Sequence, residues 1–315
     1  MTSTVETDID SLTFERTVPR GLVHRWSLSE VFLTDYREVD DARFACAAQL
    51  PLSHGYFRDQ PALPDFHDPL NVLEAARQAV TYAAHEHQGL APATTFMVTA
   101  WSLAIVDPDA LACDVRPGRL LVDGEVTDRK ARGGQVRGLV FAMDLMLDDR
   151  PLAHLTMDVK CTPTDQYHTL RQMQRGGAVP TAFTLPAEAA GRPVAPAAVG
   201  RIDQRNVVLD DLQRAPGVLS AQLSPRTFAN RSMYDHPYDH VPAMVFSEAA
   251  RQCALLLEDG PAIGPGRVLR LDGTFTRFAE LDSPVGLAAR PDGDACRVTA
   301  IQGDDTVAEL VITLG

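Results

Sequence analysis

Glu74-Ala75-Ala76-Arg77-Gln78 and Glu248-Ala249-Ala250-Arg251-Gln252 are the same pentapeptide, EAARQ, offset by 174 residues in a chain of 315. Each copy sits in a long apolar stretch and follows a polar loop containing Asp, His and Pro. A glutamate and an arginine three residues apart share one helix face. One copy alone reads as an ordinary amphipathic helix. Two copies in matching surroundings read as a duplicated unit, with a buried carboxylate–guanidinium pair at the centre of each half.

The neighbouring sequence extends the parallel. Apolar residues at helical spacing predict helices over Leu70–His87 and Ala243–Glu258. Pro69 and Pro242 stand just ahead of them, where proline suits a first helical turn. The polar loops Ser53–Pro69 and Asn230–Pro242 come before the prolines. Further upstream, strand-like runs are expected near Leu22–Phe32 and Val199–Leu209, each opening on V-x-R (Val23–Arg25, Val199–Arg201). Second strands fit Phe44–Leu50 and Gly217–Leu223. After the first helix, strands are expected over Thr94–Val106, Val136–Leu147 and Leu152–Cys161, the last two joined by a turn at Asp148-Asp149-Arg150-Pro151. After the second helix they fit Val268–Phe278, Val285–Ala289, Cys296–Ile301 and Thr306–Leu314. A helix apolar on nearly every face needs cover on most sides. A curved antiparallel sheet wrapped around it supplies that cover. The expected fold is therefore α+β, a tandem (double) hotdog. The expected organisation is an arm at 1–20, a first hotdog domain at 21–174, a Gly/Ala/Pro-rich linker at 175–196 and a second hotdog domain at 197–315.

Composition narrows the function. The formal charge is −13 and no basic run is present, which argues against a nucleic-acid partner. No apolar run approaches the roughly 18 residues that span a bilayer, and the acidic N-terminus does not read as a secretory signal. Five scattered cysteines without a CxxC pattern read as reduced thiols in a cytoplasmic protein. HExxH, Walker, GxGxxG and GxSxG motifs are all missing.

The chemistry concentrates in the loop before the second helix, with Arg231, Tyr234, Asp235, His236, Asp239 and His240 inside ten residues. Histidine is the natural general base near neutral pH, and a nearby carboxylate holds its tautomer. The first-half counterparts are His54, Tyr56, Asp65, His67 and Asp68. Amides at Ala243 and Met244, at the start of the second helix, are placed to stabilise the oxyanion formed from a thioester carbonyl. Metal binding is the rival use of His236, Asp239 and His240, but no further ligand pattern accompanies them, so no metal is assigned. Cys253, on an apolar helix, reads as core.

The stretch N-R-S-M-Y-D-H-P-Y-D-H-V-P-A-M-V-F-S-E-A-A-R-Q (Asn230–Gln252) resembles the signature of the A-factor biosynthesis hotdog family, actinomycete enzymes that build γ-butyrolactone, butenolide or furan autoregulators. The first half agrees through V-H-R (Val23–Arg25), E-V-F-L-T-D (Glu30–Asp35), H-D-P-L (His67–Leu70) and L-E-A-A-R-Q (Leu73–Gln78). Ala243 departs from the glycine of the family's P-G-M. A similar helix segment occurs in hotdog dehydratases.

The resemblance implies transfer of a β-ketoacyl group from the phosphopantetheine arm of acyl carrier protein to the hydroxyl of dihydroxyacetone phosphate. No tightly bound cofactor is expected, because the step changes no oxidation state. Proton abstraction is assigned to Glu248, with His236 or His240 as partner or alternative and Asp239 orienting a histidine. Arg251 and Arg231 are the phosphate candidates, with Arg77 a further one. Tyr234, Ala243 and Met244 line the substrate. Three roles stay open for Glu74, Arg77 and His67: closing the same pocket, serving a second site, or preserving structure. The rival readings are a hotdog 3-hydroxyacyl dehydratase or thioesterase, and a non-catalytic acyl-binding regulator. A monomeric pseudo-dimer and a homodimer both fit the internal repeat.

Overall fold

The structure is a computed structural model and describes residues 11–188, 191–257 and 266–315. Its chain forms two compact units, Met1–Leu52 with Asn71–Ala178, and Ser53–Leu70 with Val179–Gly315. In the first unit, β1 (Leu33–Glu38) and β2 (Arg43–Leu50) precede helix α1 (Pro69–Glu86). They are followed by β3 (Thr94–Ile105), β4 (Gly118–Arg132), β5 (Gln135–Leu147), β6 (Arg150–Pro163) and a second helix, α2 (Thr164–Arg175). The six strands pair antiparallel in the order β1-β2-β4-β5-β6-β3.

The second unit repeats this plan. It runs β7 (Leu209–Ala215), β8 (Val218–Leu223), α3 (Ala243–Leu256), β9 (Val268–Phe275), β10 (Gly286–Asp292), β11 (Ala295–Gln302) and β12 (Asp305–Leu314). Its antiparallel order is β7-β8-β10-β11-β12-β9, the first unit's order in the same sequence of roles. Each unit thus has one long buried helix and a six-stranded antiparallel sheet, the hotdog pattern expected from the repeat.

Both central helices are apolar almost all round. Along α1, Leu73, Ala76, Val80 and Ala84 are buried, and so is Glu74. In α3 every residue from Val245 to Ala254 is buried. Burying one Leu- or Val-sized side chain contributes about 1.5–3 kcal/mol, so packing against β8 to β12 holds α3 more firmly than helix propensity does. The Cys253 thiol lies in this core, and burial raises its pKa. Tight turns fall where sequence chemistry puts them. Asp148 and Asp149 turn between β5 and β6 with φ of 48° and 64°. Gly293 and Gly303 take the left-handed positions of the two last hairpins, at 64° and 61°.

Several expectations are corrected. The runs at Leu22–Phe32 and Val199–Leu209 are not strands. Short 3-10 turns occupy Arg20–Val23, Leu28–Glu30, Pro196–Val199 and Gln204–Asn206, and the strands begin later, at Leu33 and Leu209. His24 and Gly200 adopt left-handed conformations (φ 53° and 67°), which turns the chain inward at the following arginine. Strand β4 is an addition to the expected strands: beyond Val126 it is charged and exposed and shows no apolar alternation. Helix α2 is a second addition, too polar to show an apolar face in the sequence, and Gly176 closes it in the left-handed C-cap position. The second helix ends at Leu256, and Glu258 lies outside the described residues, as do 1–10 of the expected arm and 189–190 of the expected linker. Ser53–Leu70, expected within the first hotdog domain, belongs to the second unit. The linker region is also engaged there, since the Ala182 amide donates to the Tyr238 carbonyl at 2.9 Å.

Candidate active site

The two EAARQ segments build the same network. In the first unit the Glu74 carboxylate accepts from Arg25 Nη2 at 2.5 Å, Arg77 Nε at 2.8 Å and Gln78 Nε2 at 2.7 Å. Gln78 also ties the helix to the chain entering β1, accepting from the Phe32 amide and donating to the Glu30 carbonyl. In the second unit Glu248 accepts from Arg201 Nε at 3.0 Å, Gln252 Nε2 at 2.6 Å and Arg251 Nη2. Gln252 repeats the clamp with the Val208 amide and the Asn206 carbonyl. The V-x-R sequences therefore supply Arg25 and Arg201, one inward-turned arginine for each glutamate. The sequence showed both triplets, but nothing in their spacing from EAARQ assigned them this role.

The copies diverge in what surrounds them. Tyr56, from the loop 53–70, donates its hydroxyl to Glu248 at 3.0 Å, and Asp68 takes Arg251 Nη1 on both oxygens at 2.9 and 3.0 Å. Arg201 donates to the carbonyls of Tyr56 and Asp59, and its guanidinium lies 4.7 Å from the centre of the Tyr56 ring. The Arg251 side chain is left 4% exposed and Glu248 fully buried, whereas the Arg77 side chain is 17% exposed.

Charge follows from this geometry. Burial by itself raises a carboxyl pKa, but Arg25 and Arg77 outweigh it at Glu74 and bring it to about 2. At Glu248 burial is likewise overcome by Arg201 and Arg251, so its pKa is lowered. Burial opposes the Arg251 charge, yet Asp68 and Glu248 hold that guanidinium protonated.

Neither loop histidine is among the hydrogen-bond partners of Glu248, which are Tyr56, Arg201, Arg251 and Gln252. The expected Glu248–histidine partnership is therefore not formed. Glu248 is also poorly suited to the expected role of base, since its oxygens are occupied by donors and its pKa is depressed.

The loop has its own order. His240 Nδ1 lies 2.6 Å from Asp239 Oδ1, and the His240 ring meets Phe278 edge-on at 4.9 Å. His236 stacks on Tyr238 at 3.9 Å and lies 3.7 Å from Asp235. Tyr234 is buried against Phe228. The Arg231 guanidinium sits 4.0 Å above the Phe183 ring. Helix α3 starts at Ala243 with Pro242 as its N-cap and no capping side chain. Ala243 and Met244 are half-buried there. His67 is 2% exposed and, among the described residues, has no hydrogen-bond partner on either ring nitrogen. Burial, then the Arg58 charge, lowers its pKa to about 4.

The sequence model of the A-factor biosynthesis hotdog domain matches residues 7–163 and 184–314, so both EAARQ networks fall inside it. The chain belongs to the A-factor biosynthesis hotdog family. Among relatives, a 2-oxo-3-(phosphooxy)propyl 3-oxoalkanoate synthase of Streptomyces virginiae is 34% identical over 306 residues, 94% of this chain and 97% of the relative. A Streptomyces griseus protein of the same name is 30% identical over 301 residues, covering 93% of each. Among solved structures, the 12:0-ACP thioesterase of Umbellularia californica aligns at a TM-score of 0.48 and 11% identity, over 87% of this chain and 97% of that one. As an A-factor-family chain, the protein carries the family's hotdog domain twice. Among the described residues no helix is long and apolar enough to cross a membrane.

Proposed function

We propose that this chain transfers a β-ketoacyl group from an acyl-carrier-protein thioester to the free hydroxyl of dihydroxyacetone phosphate, forming a 2-oxo-3-(phosphooxy)propyl 3-oxoalkanoate. The observation that carries this reading is the full-length similarity, across both halves, to synthases named for that product. The ester then cyclises by internal condensation toward a phosphorylated butenolide, the precursor type for butyrolactone, butenolide and furan signals.

The site chemistry supports a revised division of labour. His240 is the proton acceptor. Asp239 sits at Nδ1 and favours the tautomer that carries its proton there, which makes Nε2 the basic nitrogen that takes the hydroxyl proton. The alkoxide oxygen attacks the thioester carbon, and amides at Ala243 and Met244 hold the oxyanion. The C–S bond then breaks, and the imidazolium returns its proton to the departing thiolate. His236, beside Asp235, is the alternative acceptor.

Glu248 serves as the anchor of a buried ion network, together with Arg251, Tyr56 and Asp68. Arg231 and Arg77, both more exposed than Arg251, are the candidates for the substrate phosphate, because a guanidinium fork suits that anion. Tyr234 bounds the acyl side of the loop.

The test is incubation with a defined β-ketoacyl carrier-protein thioester, with and without dihydroxyacetone phosphate, followed by intact product mass. A phosphorylated ester that appears only with the acceptor is the expected result. Free acid under both conditions would mark a thioesterase, and release of water from a 3-hydroxyacyl thioester a dehydratase. Binding without turnover would leave a regulator. His240→Gln should lower kcat by about 100-fold or more. Near-normal turnover in that variant would transfer the role to His236.

A further inference from the structure

The second unit holds a cavity of about 480 Å³, and six buried side chains form the apolar part of its wall: Phe228, Tyr234, Val241, Val245, Leu281 and Val285. Two of them adjoin the groups assigned to acyl transfer. Val241 directly follows His240, and Val245 directly follows Met244, whose amide is assigned to the oxyanion. The wall is fixed in place. The Val241 amide donates to the Ala279 carbonyl at 2.9 Å. Gln302 accepts from the Glu280 amide at 2.8 Å and donates to the Glu280 and Ser283 carbonyls. The cavity is thus preformed, which spares a ligand the cost of ordering it.

Charge narrows the ligand. Five carboxylates line the same cavity, those of Glu188, Asp210, Asp211, Glu280 and Asp282. Among the described residues no lysine, arginine or histidine joins them in its wall. Carboxylates so placed repel a phosphate or a free fatty acid, and the buried apolar part favours an uncharged alkyl chain. The internal repeat shows that the fold does not demand an apolar residue at Val245. With the two EAARQ segments in register, Val245 corresponds to Asn71, a buried polar residue of the first helix.

We infer that this cavity holds the alkyl tail of the acyl donor, and that Phe228 and Val285 set the tail length it accepts. The inference rests on the acyl-transfer reading for the identity of the chain. Phe228 is held edge-on against Tyr234 at 5.3 Å, and the Val285 carbonyl accepts from the Leu223 amide at 2.9 Å. Neither residue is among the groups assigned to the reaction, so their size bears on the chain and not on the proton transfer. Each methylene moved from water into an apolar wall improves binding about fourfold. The gain stops where the tail meets the wall.

The experiment titrates full-length protein by calorimetry with 3-oxoacyl-pantetheine amides, in which nitrogen replaces the thioester sulfur and the tail lengthens one methylene at a time. Wild-type affinity should rise about fourfold per methylene and then level off. Val285→Phe should bring the plateau to shorter tails and weaken binding of longer ones by about tenfold or more. Phe228→Ala should move the plateau to longer tails. Thermal melts identify any variant that fails to fold; Val285→Leu and Phe228→Leu then take its place, with shifts in the same directions. An unchanged plateau in folded variants at both positions, or wild-type affinity independent of tail length, overturns the inference. Turnover separates it from the reading on which it rests. Ester formation with dihydroxyacetone phosphate at an unchanged tail preference leaves acyl transfer standing and refutes the role of the cavity. A shifted plateau without any ester keeps the cavity as an acyl site and refutes the transfer.

Discussion

At the scale of single residues, the two glutamates in EAARQ are ionised for the same reason and differ in what else they hold. Glu248 neutralises two buried guanidiniums and accepts a tyrosine hydroxyl. Glu248→Gln leaves Arg201 without an anion and Arg251 with Asp68 alone, and breaking a buried pair costs about 3–5 kcal/mol. Urea denaturation should show that loss; stability within 1 kcal/mol of wild type, with activity abolished, would restore Glu248 as the base. His67 makes a pH prediction. Its folded pKa of about 4 lies below the unfolded value of 6.5. A lowered folded pKa means that the stability is fully present above 6.5 and is lost as pH falls through 4. The loss amounts to about 3 kcal/mol. His67→Gln should flatten the stability curve between those limits; an unchanged slope would exclude His67 as its source. Glu74, whose pKa falls from 4.5 to about 2, adds a second loss at lower pH, present above 4.5 and gone below 2. Glu248 and Arg251 were legible as a pair from spacing alone. Their sealing by Tyr56 and Asp68 was not, because those partners lie more than 180 residues away along the chain.

At the scale of elements, helix α3 is fastened by its packing and by one glutamine. Gln252 occupies the Val208 amide and the Asn206 carbonyl where the chain enters β7, and Gln78 does the same ahead of β1. Gln252→Leu puts an apolar side chain of similar reach in place of the amide and orphans both backbone groups, and should cost about 3 kcal/mol. Hydrogen exchange at Val208 provides the local readout; undiminished protection there would show that the clamp is not formed in solution. Both central helices and the closing hairpins were readable from apolar spacing and turn residues. The chain before β1 and β7 was misread as strand because its apolar residues also suit 3-10 turns that bury Val23 and Val199. Only tertiary demand for Arg25 and Arg201 separates the two.

At the scale of the whole molecule, the duplication is complete in topology and incomplete in chemistry. The second unit draws on Ser53–Leu70 for Tyr56, Gln60 and Asp68. A fragment beginning at Val179 lacks these groups, so Arg251 would be buried without its Asp68 partner. It should fail to fold alone, and a peptide spanning 53–70 added in trans should restore helical signal by circular dichroism. A stably folded fragment without the peptide would count against that dependence. The sequence by itself determined the repeat, the two helices, most strands and the family, because periodicity, turn residues and motif order are local properties of the chain. Tertiary structure decided which glutamate is sealed by Tyr56 and Asp68, and that the arginine of each V-x-R triplet turns inward to meet its glutamate. Those outcomes depend on buried charges finding partners across long separations, where free energy is set by three-dimensional proximity and spacing along the chain has no say.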